Sequence, residues 1–375
     1  MKTKNNVFSW KVWSDSDIAS SILNSIKKKA ERFIKNYARP ISLMEVCGTH
    51  TMAIAKSGIR GALKGYVNLV SGPGCPVCVT DQGDIDSVIE IGKRDDVIIT
   101  TFGDMMKVKG SDGANLFTLR ADGCDVRVVY SSMDAVKIAV ENRDRNVVFI
   151  GIGFETTSPT VAASIIYAKK NGIKNFYVTP FFKLVPPALK YLLDFKIGVI
   201  DGFILPGHVS VIIGKSAYDF LKNYSVPSVI SGFEPLDILR SIDILIDKKL
   251  EGKGDVENEY SRAVSCDGNR VARDMMSDVF SVSDARWRAV GVIKKSGYVF
   301  SDRYDEFDAL KRFSIKVKVV AEPKGCLCGK ILLGIATPIQ CPLFAKKCKP
   351  EDAVGPCMVS SEGACAAWYK YGVKG

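Results

Sequence analysis

The length, composition and charge of the chain describe a globular protein of more than one domain. Its 375 residues are 47% hydrophobic and 25% charged, a balance that excludes a disordered or fibrous protein. Lys and Arg outnumber Asp and Glu by 52 to 41, but these basic residues are scattered along the chain, which disfavours nucleic-acid binding.

The N-terminal region predicts an amphipathic helix and no membrane insertion. Ile18, Ile22, Ile26 and Phe33 are spaced for one helical face, so the lysines of SIKKKAERFIK cover its outer side. Residues 1–17 lack the apolar core of a secretory signal, and no apolar run approaches the roughly 18 to 20 residues of a spanning helix. The expected location is therefore the cytoplasm, without membrane attachment.

Short β-rich runs then alternate with helical segments. Runs such as DVIITTFG and NVVFIGIG are nearly continuous in apolar residues, as is typical of strands buried on both faces of a parallel sheet. The alternation predicts an α/β fold. Sites in such sheets lie at the carboxyl ends of the strands. The residues that follow predicted strands include Cys47, Cys75, Asp104, Glu155 and His208.

The same pattern predicts three domains. Two Rossmann-like parallel-sheet domains would occupy residues 1–145 and 146–262, although no Pro/Ser-rich linker marks their boundary. The polar segment 249–262 is a better linker candidate. Residues 263–375 are irregular and rich in cysteine, which predicts a small domain stabilised by metal.

The cysteines favour metal or redox chemistry. Eleven cysteines without an export signal do not predict a disulfide framework. The thiols of Cys75 and Cys78 form a C-x-x-C unit that can bind one metal ion or close a redox-active disulfide. The turn at 72–74 would bring backbone amides near these sulfurs. Together with Cys47 and His50 the unit also fits zinc, and a purely structural role stays open.

Two histidines and one carboxylate complete the candidate groups near the strand ends. His50 and His208 lie in turns flanked by glycine, where they would carry protons or donate hydrogen bonds to a thiolate or bound anion, unless they are structural. The segment 151–160, GIGFETTSPT, lacks the third glycine of a dinucleotide fingerprint, and the chain has no P-loop sequence. Glu155, Thr156 and Thr157 are instead polar groups at a helix N-terminus, where an anion or a partner's backbone could bind, or they simply cap the helix.

Six further cysteines crowd into the last 50 residues. Four thiolates can hold a [4Fe–4S] cluster, which leaves two for a redox-active pair. Zinc with two spare thiols is the alternative. Cys124 and Cys266 have no partner in the sequence and are predicted to be buried small hydrophobes. The six are Cys326, Cys328, Cys341, Cys348, Cys357 and Cys365.

Taken together, these motifs resemble the HypD family of hydrogenase maturation factors over nearly the whole chain. The resemblance is carried by residues 47–50 (CGTH), 72–78 (GPGCPVC), 153–157 (GFETT), 207–209 (GHV) and the six-cysteine segment. It implies a scaffold on which the Fe(CN)2CO group of [NiFe]-hydrogenases is assembled. The implied partners are HypC and, transiently, HypE as a dimer or as a HypE–HypF complex that delivers cyanide.

The resemblance also implies roles for individual residues. A single iron would be held, or reduced around, by Cys47, Cys75 and Cys78 together with a HypC cysteine. The same site would include His50, Glu155 and His208. The [4Fe–4S] ligands would be Cys326, Cys341, Cys348 and Cys365, with Cys328 and Cys357 as the redox pair. The order of the cysteines also permits Cys357 as ligand and Cys365 as partner.

The cysteine-rich segment is similar to the catalytic subunit of ferredoxin:thioredoxin reductase. That similarity implies electron flow from the cluster to Cys328 and Cys357, and from there to Cys75 and Cys78. The alternative function is a general dithiol–disulfide oxidoreductase of the same type. A zinc-stabilised binding module without redox activity is a third hypothesis.

Overall fold

The computed structural model describes residues 16–372, in which helices and strands alternate as the sequence predicts. The strands are β1 Ile41–Glu45, β2 Val67–Ser71, β3 Val97–Thr101, β4 Asp125–Val128, β5 Asn146–Gly151, β6 Phe176–Pro180, β7 Gly202–Pro206, β8 Ser228–Ser231, β9 Val256–Asn258, β10 Phe280–Trp287 and β11 Gly291–Phe300. The helices are α1 Ser16–Tyr37, α2 Gly48–Lys56, α3 Ile59–Ala62, α4 Pro76–Val79, α5 Gln82–Gly92, α6 Leu116–Ala121, α7 Ser132–Glu141, α8 Ser158–Lys170, α9 Val185–Asp194, α10 Gly207–Ile213, α11 Pro235–Leu250, α12 Arg270–Val279, α13 Ala309–Arg312, α14 Cys328–Leu332, α15 Pro356–Val359 and α16 Ala364–Tyr371.

Two parallel sheets form the centre of the protein. The first has the strand order β2-β1-β7-β8-β9 and the second the order β4-β3-β5-β6. All neighbouring strands within each sheet run parallel, whereas β10 and β11 form a separate antiparallel hairpin. The predicted α/β architecture with parallel sheets is confirmed. Because the strands of each sheet run in one direction, the loops that follow them lie together at the carboxyl-end edge of the sheet.

The division between the sheets does not coincide with the predicted boundary at residues 145 and 146. Both β4 and β5 pair with β3, so the boundary falls inside the second sheet. The first sheet takes β1 and β2 from one side of the boundary and β7 to β9 from the other. Local apolar patterns identify strands, but the packing of the crossover segments decides which sheet a strand joins.

The predicted linker and the predicted C-terminal domain also differ in detail. Segment 249–262 contains β9, which pairs with β8 at the edge of the first sheet. Helix α12 contacts α8, and β11 contacts α9 and β6. The first part of 263–375 therefore packs on the second sheet, and its apolar residues Val279, Phe280 and Phe300 share a core with Phe149 and Phe182.

The N-terminal helix packs on the first sheet through part of the predicted apolar face. Ile26 and Phe33 of α1 are fully buried, and α1 contacts α11. Ile18 is 42% exposed, since it lies in the first turn beyond the edge of this contact. Lys29 forms an ion pair with Asp243 of α11 at 2.8 Å. Among residues 16–372, no helix combines the length and apolar character needed to cross a membrane.

The cysteine-rich segment packs against the strand-end edge of the first sheet. Helix α16 contacts α2, which follows β1, and helices α14 and α15 both contact α4, which follows β2. The Asp104 carboxylate, just after β3, accepts hydrogen bonds from the Ser360 and Ser361 hydroxyls at 3.0 and 3.1 Å. Helices α14, α15 and α16 therefore lie over the loops that carry Cys47, Cys75 and Cys78.

Candidate functional site

Neighbouring strands bring Cys47 and Cys75 to the same edge of the first sheet. Strands β1 and β2 are paired in parallel with Glu45 opposite Ser71, so the two loops that follow them leave the sheet side by side. The Gly48 N–H donates to the Gly74 carbonyl oxygen at 2.9 Å. A Cβ atom at Gly74 would overlap the Val46 and Cys47 backbone and lie 2.5 Å from the Cys47 Cα. Glycine at 74 is therefore what allows the two cysteine loops to touch.

The C-x-x-C unit is a disulfide at the start of α4. Cys75 is the N-cap residue, Pro76 occupies the first turn, and the sulfurs of Cys75 and Cys78 are bonded to each other. The Cys78 N–H, which belongs to α4 and not to the turn at 72–74, donates to the Cys75 sulfur at 3.2 Å. Because a disulfide offers no thiolate to a metal, the pair must take up two electrons and two protons before it can bind iron.

Cys47 is a free thiol that is held in its protonated form. Although the residue is partly exposed, burial of the thiol raises its pKa to about 11, and the charge of Glu362 acts in the same direction. Hydrogen bonds from Thr49 and from the backbone of His50 lower the pKa by less. A thiol in this position ionises when a cation stands beside it, as occurs when a metal displaces the proton.

The two histidines stack on opposite sides of one phenylalanine. His50 lies 4.6 Å and His208 3.9 Å from the Phe233 ring centre, each inclined by 25°. His50 is completely buried, and its Nε2 is 2.9 Å from the Gly232 carbonyl oxygen. The carbonyl can only accept, so Nε2 carries the hydrogen and Nδ1 is left as an acceptor. Nδ1 has no hydrogen-bond partner within residues 16–372.

His50 is neutral near pH 7. Burial lowers its pKa to about 4, more strongly than the nearby carbonyl oxygens raise it. Burial also lowers the pKa of His208. The imidazole of His50 is hydrogen-bonded to Gly232 and not to Cys47. His50 lowers the pKa of the Cys47 thiol only through a hydrogen bond from its backbone. Phe233, which fixes both rings, was missed because an aromatic residue after a strand carries no chemical signal.

Glu155 is a buried carboxyl group with one open oxygen. Its Oε1 accepts a hydrogen bond from the Val185 N–H at 2.9 Å, whereas Oε2 has no partner in the described part of the chain. Burial raises its pKa to about 7. Burial raises the pKa of Tyr218, and the charges of Glu155 and Cys47 raise it by smaller amounts. Tyr218 therefore lies within electrostatic range of both groups. The sequence did not point to Tyr218.

Replacement of Glu155 by glutamine should change how stability depends on pH. Because its pKa is raised from 4.5 to about 7, the folded protein holds the proton more tightly than the unfolded chain. The protonated Glu155 carboxyl therefore makes its full contribution to the free energy of unfolding below pH 4.5, and this contribution is lost as the pH rises through about 7. The Glu155→Gln variant stays neutral, so it should gain roughly 3 kcal/mol of unfolding free energy relative to the wild type between pH 5 and 8.

Urea unfolding at pH 5 and pH 8 measures this difference. The variant Glu90→Gln, at an exposed position of α5, is the control and should follow the wild type at both pH values. Equal pH dependence of the Glu155→Gln variant and the wild type would contradict a raised pKa at Glu155.

Four free thiols and one disulfide surround a cavity in the cysteine-rich segment. The cavity is small, and its wall includes the apolar side chains of Leu343, Phe344 and Met358. Cys328 and Cys357 are bonded to each other, which agrees with the pairing predicted first and leaves the other four cysteines free. The free thiols lining the cavity are Cys326, Cys341, Cys348 and Cys365.

Two of the free thiols, Cys326 and Cys365, have raised pKa values. Burial raises the pKa of Cys326 to about 11, and the charges of Cys341 and Cys348 add to this effect. Burial raises the pKa of Cys365 further, with contributions from the other three. Within residues 16–372 no group of three or more Cys, His, Asp or Glu is arranged to hold a metal ion. The thiols instead share an apolar cavity, a donor set that fits an iron–sulfur cluster, whose positive irons would stabilise the thiolates.

The two disulfides lie in helices that touch. Helix α4, which carries Cys78, contacts both α14 and α15, which begin at Cys328 and Pro356. All four bonded cysteines belong to one cluster of buried residues. Helices α14 and α15 therefore bring the Cys328–Cys357 disulfide next to the helix of the Cys75–Cys78 disulfide.

A buried arginine fixes the end of the C-x-x-C helix. The Arg288 side chain is 1% exposed; its Nε donates to the Thr80 carbonyl oxygen at 2.8 Å and its Nη1 to Gln82 at 2.9 Å. Nη1 also forms a 3.0 Å ion pair with Glu322, in the segment that leads to the cysteine-rich region. Arg288 was missed because a single arginine in a hairpin turn forms no motif.

The isolated cysteines stand apart from the site. Cys266 is exposed, so the prediction that it is buried is wrong, whereas Cys124 is partly buried and packs against the core. Cys266 lies in a turn between β9 and α12, where its carbonyl oxygen accepts from the Ser216 N–H at 3.0 Å. A backbone held this way leaves the side chain toward solvent, which composition alone does not reveal.

Comparison with known proteins finds similarity along almost the entire chain. The family model described as "HypD: Hydrogenase formation hypA family" matches residues 17–372. The hydrogenase maturation factor HypD of Escherichia coli K12 is 44% identical over 352 residues, covering 93% of this chain and 94% of the relative. HypD2 of Bradyrhizobium diazoefficiens is 43% identical over 366 residues, with 96% and 95% covered. HypD of Cupriavidus necator is 43% identical over 350 residues, with 90% and 92% covered.

Proposed function

Because this chain belongs to the HypD family of hydrogenase maturation factors, we propose that it is the scaffold on which the Fe(CN)2CO group of [NiFe]-hydrogenases is assembled. It would work in the cytoplasm in complex with HypC and receive cyanide from HypE, as a dimer or as a HypE–HypF complex. The observation that carries the proposal is the meeting of the Cys47 loop with the Cys75–Cys78 disulfide at one sheet edge, beneath the cysteine-rich segment.

The iron of this group is the cargo, and its ligands from this chain are sulfurs. Cys47, Cys75 and Cys78 would bind it together with a cysteine of HypC. Soft thiolates suit an iron that carries cyanide and CO, since electron-rich iron can donate into CO, a capacity that zinc lacks. Cys75 and Cys78 become available when their disulfide is reduced, and each thiol that binds the iron releases its proton.

The resident cluster would be held by the four free thiols of the cavity, Cys326, Cys341, Cys348 and Cys365. When bound, a [4Fe–4S] cluster supplies one-electron redox chemistry beside the Cys328–Cys357 disulfide. The wall of the cavity also includes apolar side chains beside these thiols. The support for this assignment is that these four cysteines are the free ones around the cavity, while Cys328 and Cys357 are paired.

The chain's own cysteines can pass a reducing equivalent from one pair to the other. One thiolate of the opened Cys328–Cys357 pair attacks the Cys75–Cys78 disulfide, which gives a mixed disulfide and one free thiolate. The second thiolate of the attacking pair then displaces the remaining sulfur. Cys328 and Cys357 are reoxidised, and Cys75 and Cys78 have gained two electrons and two protons. The contact of α4 with α14 and α15 supports this exchange.

The buried polar groups offer hydrogen-bonding atoms to the cargo or to its carrier. His50 Nδ1 is an acceptor without a partner among the described residues, and Glu155 Oε2 is likewise open. Because burial raises the pKa of Glu155 to about 7, this carboxyl can take up or give up a proton near neutral pH. His208, stacked on the other side of Phe233, is the exposed member of this group.

Infrared spectroscopy of the anaerobic complex with HypC tests the scaffold. The wild-type complex should show cyanide and CO stretching bands, and the Cys47→Ala complex should show neither, since a soft ligand of the iron is lost. The control is Cys266→Ala, which removes an exposed cysteine outside the site and should keep both bands. Retention of both bands in the Cys47→Ala complex would defeat the proposed ligation.

A second candidate function is general dithiol–disulfide exchange, which the two neighbouring disulfides favour. The reduced protein would then reduce insulin or oxidised thioredoxin with turnover. A chain that reduces its own Cys75–Cys78 pair but neither of these substrates is an assembly scaffold and not a general oxidoreductase.

A further inference from the structure

A groove runs along the outside of the thiol cavity. It is an open depression between the cysteine-rich segment and the loops over the sheet edge. Phe344 and Met358 line both the groove and the cavity. A molecule in the groove would therefore be separated from the cavity by the thickness of these side chains. This is the short separation that electron transfer between two proteins requires.

The groove presents apolar side chains to solvent. Ile339 is 66% exposed and Tyr369 is 40% exposed, and both line it. Val359 and Trp368 extend the same surface. An apolar surface rimmed by charges is typical of a protein interaction site.

Free lysines stand on the rim. Ala345 and Pro350 line the groove at the two ends of a short loop, and this loop carries Lys346, Lys347 and Lys349, all exposed. None of the three forms an ion pair with a residue in the range 16–372. Lys370 lines the groove itself. The rim is positively charged, and Lys346, Lys347 and Lys349 have no carboxylate partner among residues 16–372.

The carboxylates of the same region are mostly occupied. Asp352 pairs with Lys109 at 2.5 Å, Glu322 with Arg288 at 3.0 Å, and Glu362 accepts from the Thr49 hydroxyl at 2.8 Å. Asp104, in the wall of the groove, accepts from Ser360 and Ser361. Glu351 is the exposed carboxylate left on the loop. The charge offered to a partner is therefore positive.

We propose that this lysine-rimmed groove is the docking surface for an acidic one-electron carrier protein. The inference rests on the proposed function, because it supplies the electrons that the cysteine pairs need. Opening the Cys328–Cys357 disulfide takes two electrons and two protons. Two reduced carriers, docking in turn, each give up one electron and leave oxidised, and the protons come from solvent. Charge complementarity with a small apolar centre suits such brief encounters, which bury little surface and associate quickly.

The test measures binding of a reduced plant-type [2Fe–2S] ferredoxin, an acidic one-electron carrier, to the full chain prepared without oxygen. A variant with Lys346→Glu, Lys347→Glu and Lys349→Glu should bind at least about tenfold more weakly at low salt. The difference should shrink at high salt, since salt screens exposed charges. The matched control has Lys28→Glu, Arg32→Glu and Lys35→Glu on α1, which causes the same change in net charge at exposed positions of another surface; it should bind like the wild type.

Two further measurements keep the result clear. Lys347 and Lys349 flank Cys348, so a second variant, Lys346→Glu with Lys370→Glu, changes the rim without altering the neighbours of a thiol in the cavity, and it should also bind more weakly. Carbodiimide cross-linking joins lysines to carboxylates, and the cross-links to ferredoxin should map to the rim lysines. Unchanged binding by both rim variants, or cross-links confined to another surface, would overturn the docking proposal.

The outcome is separable from that of the proposed function. Iron and sulfide content of the same samples reports on the cluster, whereas binding and cross-linking report on the groove. A chain without iron that still binds ferredoxin through the rim lysines would remove the proposed cluster and leave the docking surface. If the chain contains a full cluster but its affinity for ferredoxin does not depend on the rim lysines, the docking surface is removed and the proposed cluster stands.

Discussion

Replacement of any one free cysteine of the cavity by alanine is expected to remove nearly all of the iron from the anaerobically prepared protein. The four free thiols line one cavity, so each is expected to bind one iron of the cluster. Loss of one ligand exposes an iron in a site built for four sulfurs. The wild type should contain about four iron and four sulfide per chain and no zinc. The four variants are Cys326→Ala, Cys341→Ala, Cys348→Ala and Cys365→Ala.

The matched controls are Cys328→Ala and Cys357→Ala. These cysteines lie at the same cavity but are bonded to each other, so their replacement should leave the iron content and lose only the redox pair. Metal analysis and the visible absorbance of the cluster measure both outcomes. If Cys357→Ala lost the iron while Cys365→Ala kept it, the ligand set would be the alternative one. Stoichiometric zinc in the wild type would instead support a zinc-stabilised binding module.

The substitution Gly74→Ala is expected to abolish the cyanide and CO bands as completely as Cys47→Ala. The added Cβ would overlap the Val46 and Cys47 backbone, and it would lie 2.5 Å from the Cys47 Cα. The backbone cannot yield without separating the loop of Cys47 from that of Cys75, which the Gly48 N–H bond to the Gly74 carbonyl oxygen holds together. A shift of about 1 Å is enough to cost a reacting site a factor of about a hundred.

Gly103→Ala is the control for this substitution. Gly103 also follows a strand of a parallel sheet, but a Cβ there would meet its nearest neighbour, Val128, at 4.0 Å, an ordinary contact. This variant should keep both infrared bands. A Gly74→Ala complex that folds, as circular dichroism would show, and that retains both bands would mean that the two cysteine loops need not touch.

The cysteines of the candidate site could be identified from the sequence because they form patterns of residue type and spacing. The C-x-x-C unit at 75–78 and the six clustered cysteines near the C-terminus are local patterns, and the structure places both at the meeting point of the first sheet and the end of the chain. Residues that position other groups by packing or hydrogen bonding form no such sequence pattern. Phe233 between the two histidines and Arg288 at the end of α4 became visible only when their contacts were known.

The alternation of apolar runs and helical patterns by itself determined that this protein is α/β with buried parallel strands, since burial on both faces requires strands that are apolar throughout. Only the tertiary structure decided that β5 joins β3 and that β7 joins β1 across more than 150 residues. Strand order in a parallel sheet is set by how the crossover helices pack, a property of the whole chain that no local window contains. The same packing laid the cysteine-rich end over the C-x-x-C helix and so brought the two disulfides together.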